Sequence, residues 1–158
     1  MDGSILKITG LTPQLEMEIA DLLEEAALVS RCAGGGDLFA TFDEDGKVVG
    51  LACAERRAEN CLIHFVVVRP VSRMNGAGSA LVNHVLGYFA GRCDRAYVAS
   101  GGAEGFFERF GFVPVRPGET PAVVTEAGLT VGPGAEAAGD EGASGIMVLE
   151  LPSIWTIP

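Results

Sequence analysis

Residues 62–81 read LIHFVVVRPVSRMNGAGSAL, and the order of residue types in this stretch decides the fold. The apolar run Leu62–Val68, rich in β-branched residues, predicts a buried strand. Arg69-Pro70 ends the strand, because proline has no N–H for a ladder. An Arg-x-x-Gly-x-Gly string follows at Arg73–Gly78, and from Ser79 onward the apolar residues recur at helical spacing. The stretch therefore predicts a buried strand, a glycine loop and an amphipathic helix.

A glycine loop that ends at a helix N-terminus is suited to bind an anion. The first N–H groups of a helix have no intrahelical partner, and the positive end of the helix dipole lies there. Glycine also lets an anion approach the backbone closely. Neither the dinucleotide-binding G-x-G-x-x-G nor the P-loop G-x-x-x-x-G-K-[ST] is present. The loop indicates a phosphate site of another kind, and the alternative is a tight turn between strand and helix.

Turn residues and apolar spacing place the other elements. Threonine at an N-cap and proline at the first helical position predict a helix from Thr12-Pro13. A Gly-containing turn after Phe42 predicts a β-hairpin, and Gly111 ends a short helix. The further strands are predicted at Ile5–Ile8, Leu38–Phe42, Lys47–Ala54, Arg95–Ala99, Phe112–Val115 and Ile146–Leu151, and the short helix at Ala103–Phe110.

Two motifs in this order resemble the GNAT superfamily of acyl-CoA-dependent N-acyltransferases. The strand that ends in V-x-P and the R-x-x-G-x-G string after it are similar to that family's pyrophosphate loop. Ala103–Phe112, AEGFFERFGF, is similar to the family's A-x-x-F-[YF]-x-x-x-G-F helix-and-strand motif. The resemblance covers roughly residues 39–115.

The resemblance implies a mixed α/β fold. Its central sheet would be mixed and mostly antiparallel, with six to seven strands flanked by helices and splayed between the fourth and fifth strands. The predicted order of strands and helices fits such a layered fold. We expect one N-acetyltransferase domain at residues 1–151, a mobile Gly- and Ala-rich loop at 132–144 within it, and a C-terminal tail at 152–158.

The resemblance also implies acetyl-CoA as cosubstrate. Backbone N–H groups of the glycine loop would hold its pyrophosphate with help from an arginine, and a strand edge would pair with the peptide-like pantetheine arm. We expect no metal site, because the four cysteines and two histidines show no ligand spacing. The implied cofactor-binding residues are Val66, Val67, Val68, Arg73, Met74, Asn75, Gly76, Ala77, Gly78, Ser79, Gly102, Phe106 and Phe107.

The catalytic residues of the family do not carry over, because the chain departs from its pattern at two positions. Leu62 stands where many members place a glutamate base, and Phe107 stands where a tyrosine acid often stands. His64, on the same strand face as Leu62, is one candidate base, and Glu104, at the start of the short helix, is the other. Each has a structural alternative: a histidine packed in a strand, and a carboxylate that complements a helix dipole.

The acceptor is indicated by a narrower likeness. The form A-E-x-F-F-x-R-x-G-F, followed by Thr120–Val123, resembles the branch that acetylates the α-amino group of glutamate and of amino-acid-like toxins. It implies transfer of the acetyl group from acetyl-CoA to a small-molecule amine or amino acid, with Arg56 and Arg69 as candidate substrate-binding residues. An acidic, glycine-rich loop replaces the Cys-Pro of that branch near residues 140–143, which leaves the acceptor open. The alternatives are a CoA-binding sensor domain with decayed chemistry and a protein N-acetyltransferase.

Composition limits the partners and the setting. A net charge of −10 argues against non-specific nucleic-acid binding, and no apolar run reaches membrane-spanning length. With no signal peptide at the start, we expect a cytoplasmic, reduced setting in which Cys53 and Cys61 are small buried hydrophobes. The resemblance also implies a homodimer. The apolar residues of the tail Ile154–Ile157 make it a candidate for the interface.

Overall fold

A computed structural model describes residues 5–8, 17, 36–69, 76–99, 103–116, 118–126 and 145–156 of the chain. The helices in these residues are α1 (Ala77–Phe89), α2 (Glu104–Glu108) and α3 (Ala122–Glu126). The strands are β1 (Ile5–Ile8), β2 (Asp37–Phe42), β3 (Val48–Arg57), β4 (Asn60–Val68), β5 (Arg95–Ala99), β6 (Val113–Pro114) and β7 (Ile146–Glu150).

The strands form one mixed sheet in the order β1-β2-β3-β4-β5-β7-β6. β1 with β2, β2 with β3, β5 with β7, and β6 with β7 are antiparallel pairs, whereas β4 and β5 run parallel. This is the mixed, mostly antiparallel α/β sheet that the resemblance implied, and it confirms the predicted strands. The bounds of β1 and β5 coincide with the predicted ones.

The turn between β2 and β3 is closed by one aspartate and one glycine. Asp43 Oδ1 accepts hydrogen bonds of 2.9 Å from the backbone N–H groups of both Asp45 and Lys47. Gly46 has a φ of +81°, and a Cβ added there would have no heavy atom within 4 Å. The positive φ explains why glycine suits this turn, because side chains with a Cβ disfavour the left-handed region.

The chain divides into two compact units, each of which draws on parts of β3 and β4. The first consists of Met1–Glu55 and His64–Tyr88, and the second of Arg56–Ile63 and Phe89–Pro158. Because β3 and β4 each run through both units, neither unit is a segment with its own set of strands. The single domain expected at residues 1–151 stays a prediction.

The first unit packs apolar side chains on both faces of its strands. On one face Ala40, Val48, Leu51, Cys53 and Phe65 form a buried cluster. On the other face α1 lies against the sheet, where the Phe39 ring meets the His84 and Tyr88 rings edge-on at 5.7 and 5.5 Å. The alternation of Phe39 with Ala40 follows from the two-residue period of a strand. The buried side of α1 is the apolar stripe predicted from the sequence, Leu81, Val82, Val85, Leu86 and Phe89.

Gly50 is the position at which β3 lets α1 come close. A Cβ added there would lie 2.9 Å from Leu81 Cδ1 and 3.0 Å from Thr41 Cγ2. We therefore expect Gly50→Ala to lower the free energy of unfolding by about 1–3 kcal/mol, the usual range for overpacking a core. The matched control is Gly87→Ala in α1, where an added Cβ meets no heavy atom within 4 Å. This change should raise stability by about 0.5–1 kcal/mol, because alanine favours a helix interior.

Urea unfolding of the two variants and of wild type checks this packing. Opposite shifts of the midpoint with an unchanged slope are expected, because only the packing of the native state differs. A Gly50→Ala protein as stable as wild type would show that the Leu81 and Thr41 side chains move aside for the added methyl group without cost.

The second unit holds its helices and strands together around Leu62 and Tyr97. These two buried side chains cluster with Val115, Val124 and Ile146. The backbone N–H of Val115 donates to the Ile146 carbonyl at 2.9 Å, which ties the segment after β6 to the start of β7. α3 was not predicted, because residues 117–145 show no apolar period. Its Val124 is fully buried, so tertiary contacts rather than periodicity explain this one-turn helix.

The cysteines correct one part of the sequence interpretation. Cys61 and Cys93 are free and buried, as a small hydrophobe would be. Cys53 is buried but disulfide-bonded, so it is not the free thiol that the sequence indicated. Burial raises the pKa of the Cys93 thiol, against a smaller opposing effect of Arg56, and favours its protonated form.

Of the predicted elements, the loop at 132–144 lies outside the described residues. So does the helix from Thr12-Pro13, apart from Met17, which is helical and exposed. Of the predicted tail at 152–158, residues 152–156 are described; they contain no helix or strand, and Ile154 is 80% exposed.

Candidate active site

The site is built on β4, at the point where its pairing with β5 stops. The parallel register runs from Asn60↔Arg95 to Ile63↔Val98. Within the described part of the chain, β4 continues through His64–Val68 with no further β5 partner. This end of the register agrees with the splay that the resemblance implied between the fourth and fifth strands.

The last residues of β4 include the predicted pantetheine edge. Val66, Val67 and Val68 are all half-buried, and Val67 packs against the buried cluster of the first unit. Arg69, which follows them, is anchored to the start of β3: its backbone N–H donates to the Val49 carbonyl at 2.8 Å, and its Nε donates to the Val48 carbonyl at 2.9 Å. These bonds fix the direction in which the chain leaves β4.

The glycine loop leads into α1, as the sequence predicted. Gly76 lies immediately before the helix, is exposed, and has a φ of +77°. The first helical bond follows at once, from the Ala80 N–H to the Gly76 carbonyl at 3.0 Å. The N-terminal half of the motif, Arg73, Met74 and Asn75, lies outside the described residues, as does Gly102.

The start of α1 fits an anionic group. A Cβ added to Gly76 would meet no heavy atom within 4 Å, so the space above the turn is open. The first turn, which includes Ala77, Gly78 and Ser79, contains no acidic residue that would repel a phosphate. The positive end of the helix dipole adds to the attraction.

A buried pair of polar side chains lies on β3 and β4. The Nε2 atom of His64 is 2.6 Å from Oε1 of Glu55, and their side chains are only 7% and 12% exposed. Both residues belong to the first unit. Among the described residues, His64 has no second hydrogen-bond partner. His64 is thus a group that can accept a proton, and it is the first β4 residue beyond the hydrogen-bonded register with β5.

Glu55 is the residue that the sequence interpretation missed. It lies on the neighbouring strand, and the two strands are joined by the short turn at Ala58-Glu59. A hairpin places residues on either side of its turn next to one another, and that signal would have pointed to a residue a few positions before Ala58.

The other charged candidates lie elsewhere. Arg56 is exposed in the strand before the β3–β4 turn, where its Nε donates to the Ala58 carbonyl at 2.9 Å. Arg69 follows the opposite end of β4. Five residues of extended chain, about 16 Å, separate His64 from Arg69. Glu104 is exposed at the first position of the five-residue α2 and belongs to the second unit. Substrate contact by Arg56 or Arg69 stays a prediction.

α2 carries the two adjacent phenylalanines of the second motif. Phe107 is 5% exposed and packs edge-on against Phe112, with ring centroids 5.7 Å apart. Phe106 is half-buried, with the Arg109 guanidinium carbon 5.3 Å from its ring centroid. Phe107 is thus part of the aromatic packing of the second unit, whereas Phe106 keeps an accessible surface. Cofactor contact by either ring stays a prediction.

Comparison with known proteins agrees with this geometry. Residues 11–112 match the Acetyltransferase (GNAT) family. The chain belongs to the GNAT acetyltransferase family. It is therefore an acetyl-CoA-dependent acyltransferase, and acetyl-CoA is its cosubstrate. No curated protein matches the sequence at a significant level.

Solved structures share the GNAT fold at low identity. A ribosomal-protein alanine N-acetyltransferase from Escherichia coli is 17% identical over 96% of this chain and 95% of that one, with a TM-score of 0.63. The N-acetylglutamate synthase of Neisseria gonorrhoeae, solved with coenzyme A and N-acetyl-glutamate, is 18% identical with a TM-score of 0.66. The match covers 96% of this chain but 36% of the synthase. A Mycobacterium tuberculosis protein solved with CoA is 23% identical over 72% of this chain and 75% of that one, with a TM-score of 0.55.

Two side chains on β4 and β5 of this GNAT acetyltransferase belong to the packing of the second unit. Leu62, at the position of the usual glutamate, is fully buried and packs against Tyr97, so the core occupies that position. Tyr97 is itself 3% exposed, and its hydroxyl interacts with Arg95 two residues earlier on β5. Leu62 and Tyr97 are therefore both enclosed. The role of His64 in proton transfer stays a prediction.

Two further features concern the described residues of this GNAT chain. None of the helices seen there is long and apolar enough to cross a membrane. Groups of three or more His, Cys, Asp or Glu side chains suited to a metal ion do not occur among those same residues.

Proposed function

We propose that this GNAT acetyltransferase moves the acetyl group of acetyl-CoA to the amino group of a small molecule, with free amino acids as the first class of acceptor. The observation that carries this proposal is the position of His64. It is the first β4 residue after the β5 register ends, and it belongs to the same unit as the open N-terminus of α1. A proton acceptor and an anion-binding turn therefore lie at the two ends of one segment, His64–Gly76.

The chain's own residues would divide the work of acyl transfer between them. The N–H groups at the start of α1 would hold the pyrophosphate, and the Val66–Val68 edge would align the pantetheine arm. Bound acetyl-CoA supplies an activated acyl group as a thioester. His64 would take one proton from the attacking amine. One N–C bond would form and one C–S bond would break, and solvent would protonate the thiolate. Much of the rate would come from holding the two substrates in line.

The burial of His64 supports a small acceptor. With 7% of its side chain exposed, the ring is recessed, and a slim primary amine reaches it more easily than an amine on a folded protein surface. The resemblance to the glutamate-acetylating branch and the likeness to the N-acetylglutamate synthase fold both point to an amino acid. Arg69 does not strengthen the case, because its Nε is bound to Val48 and about 16 Å of strand separates it from His64.

An acceptor panel tests the proposed function. Thiol release from acetyl-CoA is followed with free L-amino acids, their carboxamides, simple alkylamines, and peptides that begin with alanine or are rich in lysine. We expect kcat/KM for the best free small amine to exceed that of every peptide by at least about tenfold, or about 1.4 kcal/mol. A carboxylate contact would make each amino acid better than its carboxamide.

Two results would point to the other functions. Thiol release with peptides alone would indicate a protein N-acetyltransferase, which the net charge of −10 would suit through basic substrates. Tight binding of acetyl-CoA with no acceptor-dependent release would indicate a CoA-binding sensor domain. Either result overturns transfer to a small amine.

The setting and the assembly state stay predictions. A homodimer would bury the exposed Ile154, and light scattering of the purified protein measures this directly. The disulfide at Cys53 does not favour a reduced cytoplasmic setting, because disulfides persist mainly in oxidising compartments. Thiol titration of protein purified from a reducing cytoplasm would decide between two and four reactive cysteines after denaturation, because one disulfide removes two of the four thiols.

A further inference from the structure

A carboxylate and an imidazole lie next to each other in the first unit, and both are largely buried. The presence of two ionisable groups at a buried position requires an explanation. Glu55 Oε1 and His64 Nε2 are 2.6 Å apart, with side chains 12% and 7% exposed. Removing ionisable groups from water is costly, and apolar side chains of similar size often fill such positions with no loss of stability. A purely structural link between β3 and β4 would not require these groups, because the strands already pair through their backbones.

We infer that Glu55 is a positioning residue, which fixes the ring of His64 in the one tautomer that can act as a base towards the acceptor amine. This inference rests on the proposed function. It concerns the orientation and proton arrangement of His64, and Glu55 itself does not touch the substrate.

The proton arrangement follows from the hydrogen-bonding capacity of the two groups. An ionised carboxylate only accepts hydrogen bonds, whereas a neutral imidazole carries one N–H and one lone pair. Because Nε2 is the atom that faces Glu55, Nε2 must carry the proton. The lone pair is then on Nδ1, on the other side of the ring, and Nδ1 becomes the atom that accepts a proton.

The same geometry stabilises the charged ring. When Nδ1 takes a proton from the amine, the imidazole becomes a cation, and its positive charge lies beside the Glu55 carboxylate in a site with little water. As the amine nitrogen bonds to the acetyl carbon, the C–S bond breaks and solvent protonates the departing thiolate. His64 then returns its proton to solvent, so no group is left oxidised or reduced.

The position of Glu55 also accounts for the departure from the family's pattern. Leu62 fills the usual place of the glutamate base on β4 and is fully buried. Here a carboxylate enters from β3 instead and acts through a histidine placed two residues after Leu62. A direct carboxylate base is thus replaced by a carboxylate–imidazole pair on neighbouring strands.

Glu55→Gln tests the inference, because glutamine keeps the size of the side chain and removes its charge. Glu44→Gln, an exposed position in the β2–β3 turn, is the matched control, and Glu55→Asp keeps the charge on a shorter side chain. Steady-state rates are measured with the best acceptor of the panel and with acetyl-CoA as the varied substrate. We expect Glu55→Gln to lower kcat about 10–100-fold, an effect smaller than loss of the base itself, with KM for acetyl-CoA unchanged. Glu55→Asp should fall between wild type and Glu55→Gln, and Glu44→Gln should match wild type.

A second measurement needs neither acetyl-CoA nor an acceptor. The chain has only two histidines, so ¹⁵N NMR of ring-labelled protein resolves His64 with His84 as an internal reference. At about pH 8, where a free imidazole is neutral, wild-type His64 should show one protonated Nε2 and one unprotonated Nδ1. In Glu55→Gln the amide can donate as well as accept, so the two ring nitrogens should shift towards a mixture of tautomers. His84 should not change.

The two measurements separate the possible outcomes. An unchanged kcat in Glu55→Gln overturns the positioning role, and so does a fall in kcat with no change in the His64 tautomer. If wild type transfers acetyl to no acceptor, the proposed function fails and the catalytic role of Glu55 fails with it. In that case the tautomer signature still decides whether Glu55 holds His64 in the free protein.

Discussion

Replacing Gly76 by tryptophan is expected to weaken acetyl-CoA binding at least about 100-fold, which is about 2.7 kcal/mol. The physical reason is occupancy: the space above Gly76 is open, and α1 begins at the next residue. An indole ring there would fill the place that the pyrophosphate needs. It would also disturb the left-handed turn that directs the helix N–H groups, since φ at Gly76 is +77°. Calorimetric titration with acetyl-CoA measures the change.

Gly46→Trp is the matched control for this substitution. Gly46 has a φ of +81°, has no heavy atom within 4 Å of an added Cβ, and belongs to the same unit. Both variants should therefore lose similar stability, about 1–2 kcal/mol each for a left-handed residue with a Cβ. Affinity for acetyl-CoA in Gly46→Trp should stay within about twofold of wild type. Equal affinities in the two variants would show that the start of α1 is a turn without a ligand.

The second large effect is expected from His64→Gln. Loss of a general base lowers kcat by about 10²–10⁴-fold, and binding of acetyl-CoA should not change, because His64 precedes the proposed pantetheine edge. Glutamine suits the test, since its amide can still donate a hydrogen bond to Glu55 in place of the imidazole. The measurement is kcat with a saturating acceptor, beside the calorimetric Kd for acetyl-CoA.

His84→Gln controls for the loss of an imidazole. His84 is exposed on α1, where its ring makes an edge contact with Phe39. It is not a member of the pair on β3 and β4. The kcat of the His84→Gln variant should match that of wild type. If His64→Gln keeps the wild-type kcat, the proton leaves the amine through solvent, and catalysis depends on substrate positioning alone.

Local sequence signals were sufficient for the strand, glycine turn and helix at the centre of the fold. The run of β-branched residues in β4, the glycine before α1 and the apolar stripe of α1 each act within a few residues of chain. For that reason the strand–turn–helix order could be predicted.

The remaining features depend on contacts between residues from different elements. Glu55 meets His64 across a hairpin, and Arg69 is held by a β3 carbonyl 21 residues earlier. Neither contact can be predicted from the spacing of residues along a single strand. α3 was missed for the same reason, since Val124 is buried by a cluster assembled from β4, β5 and β7. The sequence could therefore suggest His64 as a base but not the carboxylate that orients it.

A crystal structure of the protein with CoA bound tests the central claim most directly. We expect pyrophosphate oxygens within about 3.2 Å of backbone nitrogens at the start of α1, with the CoA sulfur nearer to His64 than to Glu104. The pyrophosphate bound anywhere else, or the sulfur closer to Glu104 than to His64, would contradict the site described on β4 and α1.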